Sequence, residues 1–404
     1  MSTDLVERYQ HKLLLECRQS NGLDAHAATT EAAFLATPRH HFVQRYKQWG
    51  TPDWHDVTPA NLADHLAVIY ANGSLGVWSP GWSSDDTTIP STISQPSLVL
   101  YMLDMLKLQT AQRVFELGAG SGWNAALIGH IVGPAGHVFS SEIIPEVAAI
   151  AKANLAAHGV GNVTVVASDG GHGYISGGPF DRVVFTAGTY DLPKQFYEQT
   201  RDGGLLLAVI KCQGGGDTLF LFVKTGGHFE SLASLQCGFV PMTGHYATAG
   251  LEPICLEDWP VWPEIEARLV ETKPFWWGGK GHDSFSWRTL GIRSYLAITE
   301  PHFRTFVTKT PGSGAHARPD TFFGLWHTRT NALVLARETS LTSYVSTDAE
   351  RQLIRALRTW VDRGMPSAAS FSLKVYPSDV SLRAGPSEWI TKRQDSQFVW
   401  ALPT

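Results

Sequence analysis

The sequence feature that most constrains the fold is the glycine-rich segment GAGSG at 118–122. It follows a short apolar run at 113–117, typical of a buried strand, and precedes a predicted helix over 123–132. Glycines in such a turn let the backbone bend sharply and approach a ligand closely. Taken alone, the glycines also fit an ordinary tight turn. Their G-x-G-x-G spacing departs from the dinucleotide-binding fingerprint, and the absence of a P-loop lysine disfavours a nucleoside triphosphate.

Strand and helix patterns alternate on both sides of this turn, with short links between them. This order predicts an α/β fold with an open, mostly parallel sheet that is covered on both faces. Right-handed crossovers leave few possible topologies. The predicted strands are 137–141, 163–167, 181–186 and 205–211, and the predicted helices are 98–106, 145–158 and 192–200.

Carboxylates follow the next two predicted strands. Glu142 lies 20 residues after Gly122, where an acidic side chain can accept both hydroxyls of a ribose. Asp169, followed by Gly170, can meet an adenine amino group. Separately, these residues also fit a surface glutamate at a helix start and an Asp-Gly turn. Together they mark the carboxyl edge of the sheet and indicate a ligand that contains adenosine.

Composition excludes several classes of protein. The 404 residues suggest two or three domains, and 43% apolar against 17% charged residues favours packed cores over disorder. A net charge of −5 argues against nucleic acid as a partner, and no apolar run is long enough for a membrane helix. The first residues do not form a signal peptide pattern, and the four cysteines form no CxxC pair. We therefore expect a cytoplasmic protein without a metal site.

The chain divides into three predicted parts. Residues 1–91 are a helical and loop segment that packs on the next part, with one short strand at 66–70. Residues 92–244 form the ligand-binding sheet, and residues 245–404 form a separate α+β domain. That last part contains 9 of the 14 tryptophans, which fit either a peptide-binding wall or the core of a small domain.

The chain contains several motifs between about residues 25 and 245. They are PRHHFVQ at 38–44, TISQP at 92–96, ELGAGSG at 116–122, SDGGHG at 168–173, PFDRVVFTAG at 179–188, DGG at 202–204 and FVPM at 239–242. Together these motifs resemble the protein-L-isoaspartate O-methyltransferases. The resemblance implies a Rossmann-like class I methyltransferase sheet of seven strands with S-adenosyl-L-methionine as cofactor. It also implies O-methylation of an aspartyl or L-isoaspartyl side-chain carboxylate in a peptide or protein, whose ester then leads to a succinimide or isoaspartate.

The same resemblance implies roles for individual residues. Ser94 would position the acceptor carboxylate and Thr92 would assist it, although Ser94 also suits the N-cap of the helix that begins at Pro96. The implied cofactor contacts are Ile93, Glu116, Gly118, Ala119, Gly120, Gly122, Glu142, Ile143, Asp169, Gly170, Thr186 and Thr243. The implied substrate contacts, besides Ser94, are Gln95, Ala187, His245 and Tyr246.

Other segments depart from the simple repair enzymes of this family. The chain continues for about 160 residues after FVPM, and residues 45–91 form a long Trp/Pro/Ser-rich insertion. In a looser way, this layout resembles bacterial methyltransferases that modify one aspartate in a ribosomally synthesised peptide. Repair of isoaspartate and tailoring of a dedicated peptide therefore both stay open. A small-molecule methyltransferase and a non-catalytic peptide-binding module are further alternatives, and a monomer is expected.

Overall fold

The computed structural model describes residues 3–84, 89–214, 216–247, 251–275, 287–311, 319–337 and 339–402. Its helices are α1 (Thr3–Ser20), α2 (Ala28–Ala36), α3 (Leu62–Ile69), α4 (Pro96–Leu106), α5 (Trp123–Val132), α6 (Pro145–Ala157), α7 (Gln195–Gln199), α8 (Trp262–Glu266), α9 (Trp287–Thr299) and α10 (Asp348–Asp362). Its strands are β1 (Arg45–Lys47), β2 (Trp54–Asp56), β3 (Leu75–Trp78), β4 (Ser91–Ile93), β5 (Arg113–Leu117), β6 (His137–Glu142), β7 (Val163–Ala167), β8 (Phe180–Thr189), β9 (Thr200–Ile210), β10 (Thr218–Thr225), β11 (His228–Gln236), β12 (Ile254–Cys255), β13 (Leu269–Pro274), β14 (Phe303–Pro311), β15 (Pro319–His327), β16 (Ala332–Ala336), β17 (Ser340–Tyr344), β18 (Ser372–Pro377), β19 (Glu388–Lys392) and β20 (Ser396–Ala401).

The central sheet contains ten strands in the order β7-β6-β5-β8-β9-β10-β11-β18-β20-β19. Strands β5 to β9 pair in parallel, and β10 and β11 continue the sheet antiparallel. These seven strands are the predicted methyltransferase sheet, so the predicted α/β class is confirmed. Because the parallel strands all end at one edge, the turns after β5, β6, β7 and β8 meet there.

Both faces of this sheet are covered, as predicted. Side chains alternate between the faces along each strand, and β5 shows this directly. Val114 packs in a core that contains residues of α1, α2, α4, α5 and α6, whereas Phe115 packs in a second core with residues of α9 and α10. Within the described part of the chain, no helix is both long and apolar enough to cross a membrane.

The C-terminal residues differ from the separate domain that the sequence predicted. Strand β18 pairs antiparallel with β11 through Phe229 and Val375, so β18, β20 and β19 extend the central sheet. This pairing covers what would be an open sheet edge. Strands β12 to β17 form a second sheet of six strands, against which α10 packs. Residues 245–404 thus contribute to both sheets, and the functional division at residue 244 stays a prediction.

The insertion at 45–91 is more ordered than predicted. It contributes β1, β2 and β3 to a four-stranded sheet that ends on β4, in the order β2-β1-β3-β4. The predicted strand at 66–70 is wrong, because these residues belong to α3 and the turn after it. Leu66 and Ile69 are both buried and lie three residues apart, which is the helical period; their β-branched neighbourhood had suggested a strand.

Candidate active site

A cavity of about 460 Å³ lies where β5, β6 and β8 end. Its wall is made by the acceptor loop, which we define as residues 91–94, by the turns after the parallel strands, and by the FVPM segment 239–242. Thirteen of the predicted site residues line it: Thr92, Ile93, Ser94, Gly118, Ala119, Gly120, Glu142, Ile143, Asp169, Gly170, Thr186, Ala187 and Thr243.

The glycine turn after β5 is shaped by two close approaches. Gly118 has a φ of +94°, and a β-carbon there would lie 2.4 Å from the hydroxyl oxygen of Thr186. That hydroxyl lies 2.6 Å from the Gly118 carbonyl oxygen and fixes the turn. Gly120 has a φ of +53°, and its β-carbon position is 3.4 Å from the carbonyl oxygen of Thr92. The turn is therefore held against the acceptor loop, and only glycine suits both positions.

Glu142 presents a buried carboxylate to the cavity at the end of β6. Its Oε2 accepts from the backbone N–H of Gly120 over 3.0 Å, and its Oε1 accepts from the backbone N–H of Ile144 over 3.2 Å. Burial raises the pKa of Glu142 above its usual range. Each oxygen retains a lone pair, so the carboxylate can accept hydroxyl hydrogen bonds.

Asp169 is held from two sides at the end of β7. Its Oδ1 accepts from the N–H of Gly171 over 2.9 Å, and its Oδ2 accepts from the N–H of His245 over 2.7 Å. Gly244, with a φ of +90°, brings the chain so close that a β-carbon there would lie 2.4 Å from Oδ2. The segment after FVPM therefore folds over Asp169 and closes this end of the cavity.

Glu116 and Gly122 do not line the cavity and instead support its wall. The fully buried Glu116 accepts from Asn124 Nδ2 over 2.6 Å and from Ser140 Oγ over 2.5 Å. Burial raises the pKa of Glu116 to about 7. At Gly122, a β-carbon would lie 3.2 Å from the carbonyl oxygen of Ala151, so this glycine allows α5 to approach α6.

Gln95, His245 and Tyr246 were predicted as substrate contacts, but they also lie outside the cavity wall. The exposed Gln95 donates to Ser97 Oγ over 3.0 Å. The Tyr246 hydroxyl accepts from Gln195 Nε2 over 2.6 Å, and the ring lies against Gly171. The His245 ring is stacked at 6.0 Å on that of His172. His245 and Tyr246 therefore support the Asp169 loop from its outer side.

Sequence reasoning gave no role to Arg39, which lies in the PRHHFVQ motif at 38–44. Its side chain is fully buried and donates to the carbonyl oxygens of Ile93 at 3.3 Å and Ser94 at 3.0 Å. It also donates to three carbonyl oxygens between residues 69 and 73. Burial lowers the pKa of Arg39 to about 9. The PRHHFVQ motif at 38–44 was the available signal, and its arginine positions the acceptor loop.

Ser91 was also missed. This residue lines the cavity, and its hydroxyl is buried and has no hydrogen-bond partner among the described residues. An unpaired buried hydroxyl costs about 1–3 kcal/mol, so a polar ligand in the cavity would stabilise it. At the other end of the loop, α4 has Gln95 as its N-cap residue and no side-chain cap. The Ser94 hydroxyl is therefore not used as a helix cap.

These features fit an adenosine ligand with a polar amino-acid end. Glu142 and Asp169 contribute carboxylates to the cavity, and the glycine turn and Ser91 line the same cavity. Together with the parallel sheet they define a class I S-adenosylmethionine-dependent methyltransferase. Within the described ranges, no group of three or more His, Cys, Asp or Glu residues could hold a metal ion.

Comparison with known proteins identifies the family. The sequence profile of the protein-L-isoaspartate(D-aspartate) O-methyltransferases matches residues 9–247, so the chain belongs to this family. A protein-L-isoaspartate O-methyltransferase of Pyrococcus abyssi is 33% identical over 245 residues, which cover 60% of this chain and 98% of that protein. Protein-L-isoaspartate O-methyltransferase 1 of Archaeoglobus fulgidus is 40% identical over 174 residues, covering 41% of this chain and 78% of that protein.

The fold has a counterpart among solved structures. A protein-L-isoaspartate O-methyltransferase structure superposes with a TM-score of 0.51, covering 90% of this chain and 96% of that chain at 20% identity. This similarity supports the fold. The sequence match to the Pyrococcus abyssi protein leaves about two fifths of this chain without a counterpart in that relative.

Proposed function

We propose that this methyltransferase esterifies the side-chain carboxylate of an aspartyl or L-isoaspartyl residue in a peptide or protein. One observation carries the proposal: the acceptor loop and the cofactor-binding turns line one continuous cavity. Thr92 and Ser94 therefore lie in the same chamber as Glu142 and Asp169. A shared chamber aligns acceptor and methyl donor and excludes water from both.

The lining of the cavity favours an acceptor that needs no deprotonation. Among its described lining residues only Glu142 and Asp169 are ionisable, and backbone N–H groups hold both. No histidine or lysine is present in that lining to remove a proton from an amine or hydroxyl acceptor. A carboxylate is already ionised at neutral pH and needs no such base.

Each residue then has a simple task. When bound, S-adenosylmethionine supplies an electrophilic methyl group and a neutral thioether leaving group. The hydroxyls of Ser94 and Thr92 donate to the acceptor carboxylate and orient it. Glu142 accepts hydrogen bonds from the ribose hydroxyls, and Asp169 accepts a hydrogen bond from the adenine amino group. In the released ester, an adjacent backbone amide nitrogen attacks the carbonyl carbon, methanol leaves with the amide proton, and a succinimide closes.

A second candidate is a dedicated, constrained peptide substrate, and contacts of the C-terminal residues favour it. Arg393 Nε donates to the carbonyl oxygen of Tyr190 over 3.2 Å, and Asp191 accepts from the N–H of Asp395 over 2.8 Å. Tyr190 is only three residues beyond Ala187, which lines the cavity. The C-terminal part thus fixes the chain beside the acceptor side, where it can select a particular peptide.

A pair of serine variants tests the proposed role of Ser94. We expect Ser94→Ala to lower kcat/KM for an isoaspartyl peptide about 10- to 100-fold, the loss of a hydrogen bond to a charged group, with cofactor Kd unchanged within about twofold. Ser97→Ala is the matched control, because Ser97 is buried nearby and does not line the cavity. Wild-type kinetics in Ser94→Ala, or equal losses in both variants, would remove the assigned role.

A further inference from the structure

We propose that a second groove, between α9, α10 and β19, binds an acidic, extended stretch of the peptide substrate at a distance from the methylated side chain. This inference rests on the proposed function and adds a substrate determinant to it. The groove has a volume of about 460 Å³ and shares no residue with the active-site cavity. The residues that carry the argument are Tyr295, Glu300, Arg351, Arg355, Arg363 and Trp389.

A row of arginines lines one wall of the groove. Arg351 and Arg355 are one turn apart on α10, Arg363 follows at the C-terminal end of that helix, and all three line the groove. At 1.5 Å per residue their backbone positions are about 6 and 12 Å apart. Arg351 pairs with Asp348. Arg355 and Arg363 form no salt bridge with any described residue, although the chain as a whole carries a net charge of −5.

The carboxyl groups in the groove do not cancel this charge. Asp348 is engaged by Arg351 and by Ser346, whose hydroxyl lies 3.0 Å away. Glu300 accepts from Gln352 Nε2 over 2.8 Å, and burial raises its pKa above the usual range. The Arg355 guanidinium lies near enough to Glu300 to act against this increase, and Arg363 is hydrogen-bonded to Tyr295. Neither arginine forms a salt bridge with a described carboxylate, so both can still pair with an incoming anion.

An aromatic wall faces the arginines. The Arg363 guanidinium lies 5.2 Å from the centroid of the Trp389 ring. Trp389 is itself held edge-on against Phe371, at 5.7 Å between ring centroids. A fixed, partly exposed tryptophan beside cations suits a peptide, which offers apolar and charged side chains together.

The spacing of the arginines matches an extended peptide. Side chains on one face of an extended chain repeat about every 6.6–6.8 Å. Acidic residues four positions apart therefore match Arg355 and Arg363, the two arginines of the groove that form no salt bridge with a described residue. A compact anion would reach only one of these sites. The residues of the groove also lie outside residues 9–247, which the family profile matches.

Fluorescence anisotropy with a labelled peptide of six Glu-Ser repeats tests the proposal directly. We expect the wild-type protein to bind it, increasingly at low salt, and the double variant Arg355→Glu/Arg363→Glu to bind it at least about tenfold more weakly. Arg358→Glu is the matched control, since Arg358 is exposed on the same helix and does not line the groove. The control should stay within about twofold of wild type.

Four results would overturn the assignment: no binding by the wild-type protein, an equal loss in the Arg358→Glu control, equal binding of a Lys-Ser peptide, or tighter binding of an oligothymidylate competitor. The assay involves no methyl transfer, so it stands apart from the test of the proposed function. A short isoaspartyl peptide without an acidic arm should be methylated equally by wild type and the double variant. Failure of that reaction in the wild-type protein would count against the proposed function, but it would not bear on the assignment of the groove.

Discussion

The buried guanidinium of Arg39 donates a hydrogen bond to the carbonyl oxygen of Ser94 over 3.0 Å. Arg39 lies 55 residues earlier in the chain, and it also reaches the carbonyl oxygen of Ile93. The loop that carries Ser94 is thus held by a buried guanidinium group whose hydrogen bonds to described residues all go to backbone oxygens. The guanidinium group is planar and can donate several hydrogen bonds, so arginine is the side chain best suited to this task.

Replacing Arg39 should therefore affect the acceptor more than the cofactor. An ammonium cannot reproduce the fork, so Arg39→Lys should lower kcat/KM for an isoaspartyl peptide about tenfold while the Kd for S-adenosylmethionine changes less than about threefold. Arg182→Lys serves as control, because Arg182 also donates to backbone carbonyl oxygens, but to none in the acceptor loop. Equal losses in both variants, or a matching loss of cofactor affinity, would contradict the positioning role.

Ser91 provides a test of which end of the cofactor meets the acceptor loop. Its hydroxyl has no partner among the described residues and lies 3.9 Å from the β-carbon position of Gly120, a predicted cofactor contact. In calorimetry, Ser91→Ala should weaken the binding of S-adenosylhomocysteine about tenfold. The affinity for 5′-methylthioadenosine, which lacks the amino-acid end, should stay within about twofold of the wild-type value. Equal weakening of the two ligands would show that Ser91 has no such contact.

Cofactor affinity should depend on pH through Glu142. Burial raises the pKa of this carboxyl, so as pH falls it takes up a proton earlier than an ordinary glutamate and accepts hydroxyl hydrogen bonds less well. Calorimetry from neutral pH downward should show S-adenosylmethionine affinity falling from a pH above the usual glutamate range. Glu142→Gln should bind about tenfold more weakly at neutral pH and remove most of this pH dependence. If the variant showed the same pH profile, a group other than Glu142 would be responsible for the titration.

Glu116 should make the fold less stable as pH rises. Burial raises its folded pKa from 4.5 to about 7, so the unfolded chain releases this proton first. The stability present below pH 4.5 is then lost progressively up to about pH 7, by at most about 3 kcal/mol. Glu116→Gln should unfold in urea with a flatter pH dependence across that window. An unchanged profile would mean that Glu116 is ionised in the folded protein.

The cofactor half of the site was predictable because its signals are local. The glycine turn, Glu142 and Asp169 each follow a strand directly, and parallel strands bring their carboxyl ends together. Local sequence also misled, since His245 and Tyr246 directly follow the cavity-lining Thr243. Gly244 reverses the chain between them with a φ of +90°, which turns both side chains to the outer side of the Asp169 loop.

The missed features depend on contacts between distant segments. Arg39 is buried only because residues 69–73 and 93–94 converge on it. The pairing of β18 with β11 joins residues more than 140 positions apart, and nothing in either strand alone shows which edge it will cover. Hydrophobic periodicity predicts elements but not these partnerships.

The central claim is that the acceptor is a side-chain carboxylate. Mass spectrometry after incubation with S-adenosylmethionine would use three peptides that differ only in carrying L-isoaspartate, L-aspartate or asparagine at one position. The account predicts that the isoaspartyl or the aspartyl peptide gains one methyl group, that mild alkali removes it, and that the asparagine peptide gains none. A methyl group that resists alkali, or one that also appears on the asparagine peptide, would contradict it.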